Sequence, residues 1–187
     1  NYDSTVANDY KHCGCKYEDP QQEALSHVSF AWTKEHTFVE TKRIMRDLPF
    51  RLDIRVNGGH TTGPTLILLH GTPTLNTVYW TEDRPDSFCM QMASLAGAKK
   101  GDAIAFGHTH LPWNRTVQGI HFINTGTVGR PKDGDWRAGY TILDLRSDSV
   151  NVEHIRVDYD VARSAQVIRE SDLPNEFADF LESGKRP

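Results

Sequence analysis

Apolar and polar positions along this chain follow two different periods, and the switches between them predict its elements. Residues 50–56 place Phe, Leu, Ile and Val at alternate positions with Arg and Asp between them, the period-two pattern of a half-buried strand. Asn57-Gly58-Gly59 then suits a hairpin turn. Residues 64–69 form an apolar run bounded by Gly63 and Gly71, as expected of a strand buried on both faces. Residues 85–96 suit a helix that stops at Gly97, and a second short buried strand follows at 103–106. Shorter strands are expected at 114–117, 120–123, 140–145 and 150–157, separated by polar or Gly-containing turns.

Upstream of these strands the pattern is different. Residues 4–19 are polar and turn-rich and read as loop. Pro20 opens a helix at its first turn, and residues 40–48 suit a second helix ended by Pro49. These two predict a small helical insert over about 9–48. Residues 160–184 form a charged, helix-prone tail. No repeat or low-complexity linker interrupts the chain, so residues 1–187 read as a single α/β domain with antiparallel strands toward the end.

Composition narrows the function classes. The chain has 187 residues, 37% hydrophobic and 25% charged, which is enough for one domain with a real core. Its longest apolar runs fall far short of the ~20 residues that span a bilayer, so no membrane association is expected. Lys and Arg number 21 against 25 Asp and Glu, a net charge of −4, and no basic tract exceeds Lys99-Lys100. Bulk nucleic-acid binding is therefore disfavoured, although a local metal site could still take a phosphate ester. Cys13, Cys15 and Cys89 are too few for a disulfide scaffold, and a cytoplasmic location is expected.

The candidate chemistry lies at strand ends. Gly107-His108-Thr109-His110 directly follows the apolar strand ending at Phe106. Histidines at i and i+2 on extended backbone point to one side, roughly 6–7 Å apart. They could share one ion, serve two ions ~3.5–4 Å apart, or simply be solvated. His70-Gly71-Thr72-Pro73 ends another buried strand, and three imidazoles at such ends favour a metal. Asn124-Thr125-Gly126-Thr127-Val128-Gly129-Arg130-Pro131 supplies a Gly-rich turn that could admit an anion, with Asn124 and Arg130 as its substrate-binding candidates. His12-Cys13-Gly14-Cys15 hints at zinc, but a closed site needs four ligands and no second pair is nearby, so it reads as a reduced loop thiol pair. His27, His36, His60, His121 and His154 receive no role, and Trp80, Trp113 and Trp136 read as core or rim packing.

Together, the His70, His108 and Asn124 segments resemble, in order and spacing, the fourth motif, the fifth motif and the following turn of the calcineurin-like metallophosphoesterases. The small bacterial phosphodiesterase-type branch is the nearest match, and the resemblance covers roughly residues 1–145. It implies a four-layer αββα sandwich, here without its first strands and helices. It also implies a dinuclear centre of Mn, Fe, Zn or Ni, at which a metal-bound hydroxide attacks a phosphomonoester or phosphodiester. Asn1-Tyr2-Asp3 looks like the end of the family's Gly-Asn-His-Asp motif. By position, Asn1, His70 and His108 would bind the second metal and His110 the first, while Tyr2 and Asp3 would line the leaving-group side.

Tyr2 stands where the family usually has His, and a phenol with pKa near 10 is a poor general acid at neutral pH. The family's Asp-x-His motif and bridging Gly-Asp carboxylate have no counterpart among these residues. An N-terminal segment, absent like the initiator Met, is therefore expected to complete the site. The expected partner is a small phosphate-ester substrate or a phosphoprotein. The rival readings are a weakly catalytic binding or scaffold module, like the retromer subunit of this fold, and a Ser/Thr phosphoprotein phosphatase.

Overall fold

The computed structural model describes residues 1–17, 19–56, 63–146 and 149–185. Its elements run α1 (Tyr2–Ala7), α2 (Pro20–Glu35), α3 (Val39–Arg46), β1 (Leu52–Arg55), β2 (Thr65–Leu68), α4 (Asp86–Ala96), β3 (Ala103–Phe106), β4 (Trp113–Val117) and β5 (Ile120–Asn124). There follow β6 (Ala138–Leu145), β7 (Val150–Val157), α5 (Val161–Arg169) and α6 (Glu176–Ser183).

Strands β1 to β5 form a five-stranded sheet in the order β1-β2-β3-β5-β4, and β6 and β7 pair as a separate hairpin. The three inner strands β2, β3 and β5 are parallel, with Ile67 opposite Ile104 and Ile104 opposite Phe122. Both edges, β1 and β4, are antiparallel. Parallel neighbours place the carboxyl ends of β2, β3 and β5 at one rim, where His70, Gly107 and Thr125 leave the sheet.

Each sheet face buries a different layer. On one side Ile67, Ile104, Phe106 and Phe122 pack with Met92 and Ala93 of α4, and Trp80 stacks on Phe106 with ring centroids 4.2 Å apart. On the other side Ala103, Ala105 and Ile123 meet Leu143, Leu145, Val150 and Val152 of the hairpin. The two alanines let the second sheet approach closely. The result is a mixed α/β sandwich whose described layers run helix, sheet, sheet. Trp80 and Trp113 are core residues, in keeping with their packing role in the sequence.

The N-terminal helices form a second, smaller cluster around Val6, Cys13 and Phe30. Asp19 caps α2 by accepting a hydrogen bond from the Gln21 amide at 2.9 Å, ahead of Pro20 in the first turn. Arg46 Nε donates to the Ala7 carbonyl at 2.7 Å and ties α3 to α1.

Several expectations change. Part of the expected loop 4–19 is helix α1, short enough to escape a periodicity reading. The hairpin turn at Asn57-Gly58-Gly59 lies outside the described residues, as does His60. The expected half-burial of β1 is not seen: Leu52 and Ile54 are 50% and 49% exposed, because β1 is an edge strand that no described element covers. Nor is β2 buried on both faces throughout; of its four residues only Ile67 is fully buried. The charged tail divides into α5 and α6, which pack on each other.

Candidate active site

Three loops at the rim of the parallel strands are bonded together. The Gly107 amide donates to the His70 carbonyl at 2.9 Å, and the Thr125 amide donates to the Phe106 carbonyl at 2.8 Å. After His70 the chain reverses sharply, with the Thr72 amide donating to the Leu75 carbonyl at 2.9 Å. A Cβ on Gly71 would lie 2.8 Å from the Asn76 carbonyl oxygen, so only glycine fits this turn.

The loop carrying the histidine pair is not extended. His108 and His110 have φ of +64° and +63°, the left-handed region that costs a non-glycine residue about 1–3 kcal/mol. Both still reach the same cavity, because the side chain of Asn124 organises the turn from beneath. Its Nδ2 donates to the Gly107 carbonyl at 3.0 Å and to Thr109 Oγ1 at 2.8 Å, while its Oδ1 accepts from the Gly126 amide at 3.0 Å. Asn124 is fully buried, so it holds the histidine loop and presents no surface to a substrate; this corrects its expected role.

Two donor atoms flank His70 Nε2 at the sheet rim. Asn1 Oδ1 lies 3.1 Å from His70 Nε2, and His108 Nδ1 lies 3.3 Å from the same nitrogen. A single proton on His70 Nε2 can serve only one of the two neighbours well. Ligands about 2.1 Å from one ion sit about 3.0 Å apart on an octahedral edge and about 3.4 Å apart on a tetrahedral one, which brackets these separations. Burial first of all holds the pKa values of His70 and His108 down to about 4, so both carry free lone pairs at neutral pH. Among the described residues His108 Nε2 is buried with no hydrogen-bond partner. Two neutral imidazoles and an amide oxygen at these two spacings are donors of the kind a divalent ion accepts.

His110 is set separately. Its Nδ1 faces the Arg130 carbonyl at 2.7 Å and must donate to it, which leaves the Nε2 lone pair as the available ligand. Burial likewise lowers the His110 pKa to about 4. Among the described residues no three His, Cys, Asp or Glu side chains close on one point, so no carboxylate joins His110 to the other donors.

The cavity above these donors measures about 320 Å³ and includes Asn1, Tyr79, His108, His110 and Arg130 in its lining. Arg130, expected to bind substrate, lines this cavity. Its guanidinium lies 5.0 Å over Phe180 and 5.8 Å over Phe177, its Nε is buried without a partner, and no ion pair to it forms among the described residues. Tyr2 also lines the cavity, but its hydroxyl donates to the Ser26 carbonyl at 3.4 Å and burial raises its pKa. Asp3 is exposed on α1 and does not line the cavity, since successive helical residues point about 100° apart. This corrects its expected place beside the leaving group.

Sequence reasoning missed several lining residues. Cys15 Sγ accepts a hydrogen bond from Asn1 Nδ2 at 2.9 Å, so the Asn1 amide is held at both ends. Cys13 accepts from the Cys15 backbone amide and pairs with the Tyr17 hydroxyl at 3.0 Å. Contacts with Cys15 and Tyr17 hold the Cys13 thiol below its usual range. The thiol pair was visible in the sequence, but its return to Asn1 was not. Tyr79, Phe177 and Phe180 were also missed, and the Phe-x-x-Phe spacing in the tail was the signal for the last two.

The lowered histidine pKa values have a thermodynamic corollary for the metal-free chain. An unfolded chain protonates these imidazoles near pH 6.5, the folded chain only near 4. The unfolded state therefore binds more protons in that window, and stability rises with pH across it. Thermal melts of the metal-free protein should show Tm falling as pH drops from 6.5 toward 4, and His70→Gln should flatten that slope. A Tm independent of pH in this window would contradict the burial of the cluster.

The comparisons with known proteins agree with this architecture. An uncharacterized protein of Methanocaldococcus jannaschii is 25% identical over 173 residues, covering 84% of this chain and 65% of that protein, so the chain spans less than two thirds of this relative. The solved structure of a hypothetical protein from Pyrococcus horikoshii superposes with a TM-score of 0.77 at 20% identity, covering 100% of this chain and 71% of that one. A metallophosphoesterase from Sphaerobacter thermophilus gives a TM-score of 0.69 at 21% identity, covering 98% and 74%. Both establish a shared fold. Residues 35–148 match the model of the calcineurin-like phosphoesterase superfamily domain. With more than half of its length matching that domain and the fold to go with it, the chain belongs to the calcineurin-like phosphoesterase superfamily.

Proposed function

We propose that this protein is a metal-dependent phosphoesterase hydrolysing a small phosphomonoester or phosphodiester. The observation that carries the proposal is that Asn1 Oδ1 and His108 Nδ1 each lie at ligand spacing from His70 Nε2, and that Asn1 and His108 line a cavity that also holds an Arg130 cation without a carboxylate partner among the described residues. These three groups would hold one divalent ion and His110 Nε2 would serve a second. The nitrogen donors accept Mn, Fe, Zn or Ni. Such ions supply Lewis acidity toward the phosphoryl oxygens and lower the pKa of water.

The chain's own residues supply the rest. Arg130 binds non-bridging phosphoryl oxygens with its forked donors, and the Phe180 ring keeps that fork in the cavity. The Arg130 carbonyl fixes the His110 tautomer, and Cys15 fixes the Asn1 amide. Two adjacent cations need a carboxylate between them. No described Asp or Glu lies among the donors, and this reading has that group supplied from outside these 187 residues.

Arg130→Met should lower kcat/KM by about 10²-fold, the value of a charge-assisted hydrogen bond lost in a dry site, and weaken inhibition by inorganic phosphate in parallel. Arg130→Lys should recover only part, because an ammonium cannot bind bidentately. Steady-state kinetics on both variants, with Tm measured alongside to account for the lost ring contacts, checks this.

The scaffold reading draws support from one observation. The Tyr2 hydroxyl is turned to the Ser26 carbonyl, leaving no imidazole at the usual position for leaving-group protonation. Turnover of bis(p-nitrophenyl) phosphate with added Mn²⁺ by the full-length protein separates the two. Stoichiometric metal with no turnover of any mono- or diester would favour the scaffold.

A further inference from the structure

The cavity is built from more than a metal floor and a cation. Helix α2 presents Gln22, Leu25, Ser26 and Ser29 to it, positions spaced three and four apart and therefore on one face. The opposite wall is aromatic. The Tyr79 ring sits 4.7 Å from that of His108 at a 40° tilt, and Phe180 carries Arg130 on its face. The Tyr79 hydroxyl and the Gln22 amide make no hydrogen bond among the described residues, whereas the Tyr2 and Tyr17 hydroxyls are engaged by α2. A cavity that mixes aromatic rings with polar side chains, among them an uncommitted amide that both donates and accepts, suits a flat heteroaromatic edge better than an alkyl chain. At about 320 Å³, the cavity is at the small end of ligand sites and has no room for a protein loop.

We propose that the group esterified to the phosphate is a planar heteroaromatic of nucleoside size, stacked beside Tyr79 with its edge read by Gln22. This rests on the phosphoesterase reading and narrows it. Stacking on Tyr79 sets the base beside His108, and the sugar then places the ester phosphorus between the metal donors and Arg130.

The test compares substrates that differ only in the base. Adenosine or uridine 5′-monophosphate is set against ribose 5-phosphate, and the ethyl esters of the same three serve as the diester series, so that every ester is that of a primary alcohol. With Mn²⁺ and full-length protein, kcat/KM should favour at least one nucleotide by about tenfold or more, the usual size of base stacking on an aromatic side chain. Tyr79→Leu and Gln22→Ala should each move that ratio toward one. Gln22 is a half-buried residue in the first turn of α2, so its variant tests the idea even if Tyr79→Leu folds poorly.

Equal turnover with and without a base, or a ratio unchanged in both variants, would overturn the planar seat and leave the phosphoesterase reading standing. No turnover of any of these esters would count against the phosphoesterase reading instead. Saturation-transfer NMR with adenosine and uridine alone then decides the seat independently: transfer to base protons that Tyr79→Leu abolishes supports it, and no transfer refutes it.

Discussion

His108→Ala is expected to lower kcat/KM for bis(p-nitrophenyl) phosphate by at least about 10³-fold in the Mn²⁺-loaded full-length protein, roughly 4 kcal/mol of transition-state stabilisation. His108 Nδ1 and Asn1 Oδ1 both lie at ligand spacing from His70 Nε2, and removal of His108 leaves an amide oxygen and one imidazole to hold an ion. It also takes away the ring against which Tyr79 leans. Metal content per chain, measured with the rates, should fall in step. His121→Ala is the control. That imidazole pairs with Thr116 at the opposite end of β5, and its loss should leave rate and metal content within twofold. A His108→Ala protein with the full rate and the full metal complement would refute the proposed centre.

Asn124→Leu should be the most destabilising single change at the site, although Asn124 touches neither metal donors nor cavity. Leucine matches the volume but leaves the Gly107 carbonyl and the Gly126 amide without their partner, and Thr109 Oγ1 loses a donor. Stranded buried groups cost about 1–3 kcal/mol each. A total of about 2–4 kcal/mol corresponds to a Tm lowered by roughly 5–15 °C for a chain of this length. The loss falls on a segment with two non-glycine residues in the left-handed region, so the histidine pair should relax toward ordinary backbone. The extra stability conferred by Mn²⁺ should shrink together with Tm. Asn124→Asp keeps the acceptor for Gly126 and loses both donations, so it should fall between. Melts with and without Mn²⁺ measure both effects, and a Tm unchanged in Asn124→Leu would contradict the assigned bonding.

Much of the sheet was legible because burial leaves periodic marks. The buried run before His70 and the one before Gly107 stand out, and their carboxyl ends mark the rim. The family pattern then selected the histidines and Arg130, and the structure brings His108, His110 and Arg130 to one cavity, with His70 in contact with His108 beside it. What could not be read is long-range or non-periodic. Helix α1 is six residues long, below any period a hydrophobic pattern can show. Asn124 looked like a surface turn residue, because nothing local reveals that its amide closes a loop 15 to 17 positions away. Phe177 and Phe180 sat in a charged tail, and only tertiary folding sets them against Arg130. The exposed apolar positions of β1 show the converse: the alternation is in the sequence, but the partner that burial requires is not among the described elements.

The parallel pairing of β2, β3 and β5 also bears on how the protein is maintained in a cell. Parallel neighbours require long crossovers, and the ligand atoms that meet at His70 come from positions 69 and 38 residues away. No short stretch of chain can prefigure the cluster, so an ion that binds there binds the finished fold and not the denatured ensemble. At a free concentration 100 times its Kd, such an ion would stabilise the native state by about 2.7 kcal/mol. That is a large share of a typical domain's margin. If the proposed ion binds there, metal starvation would enlarge the unfolded pool that cellular proteases remove.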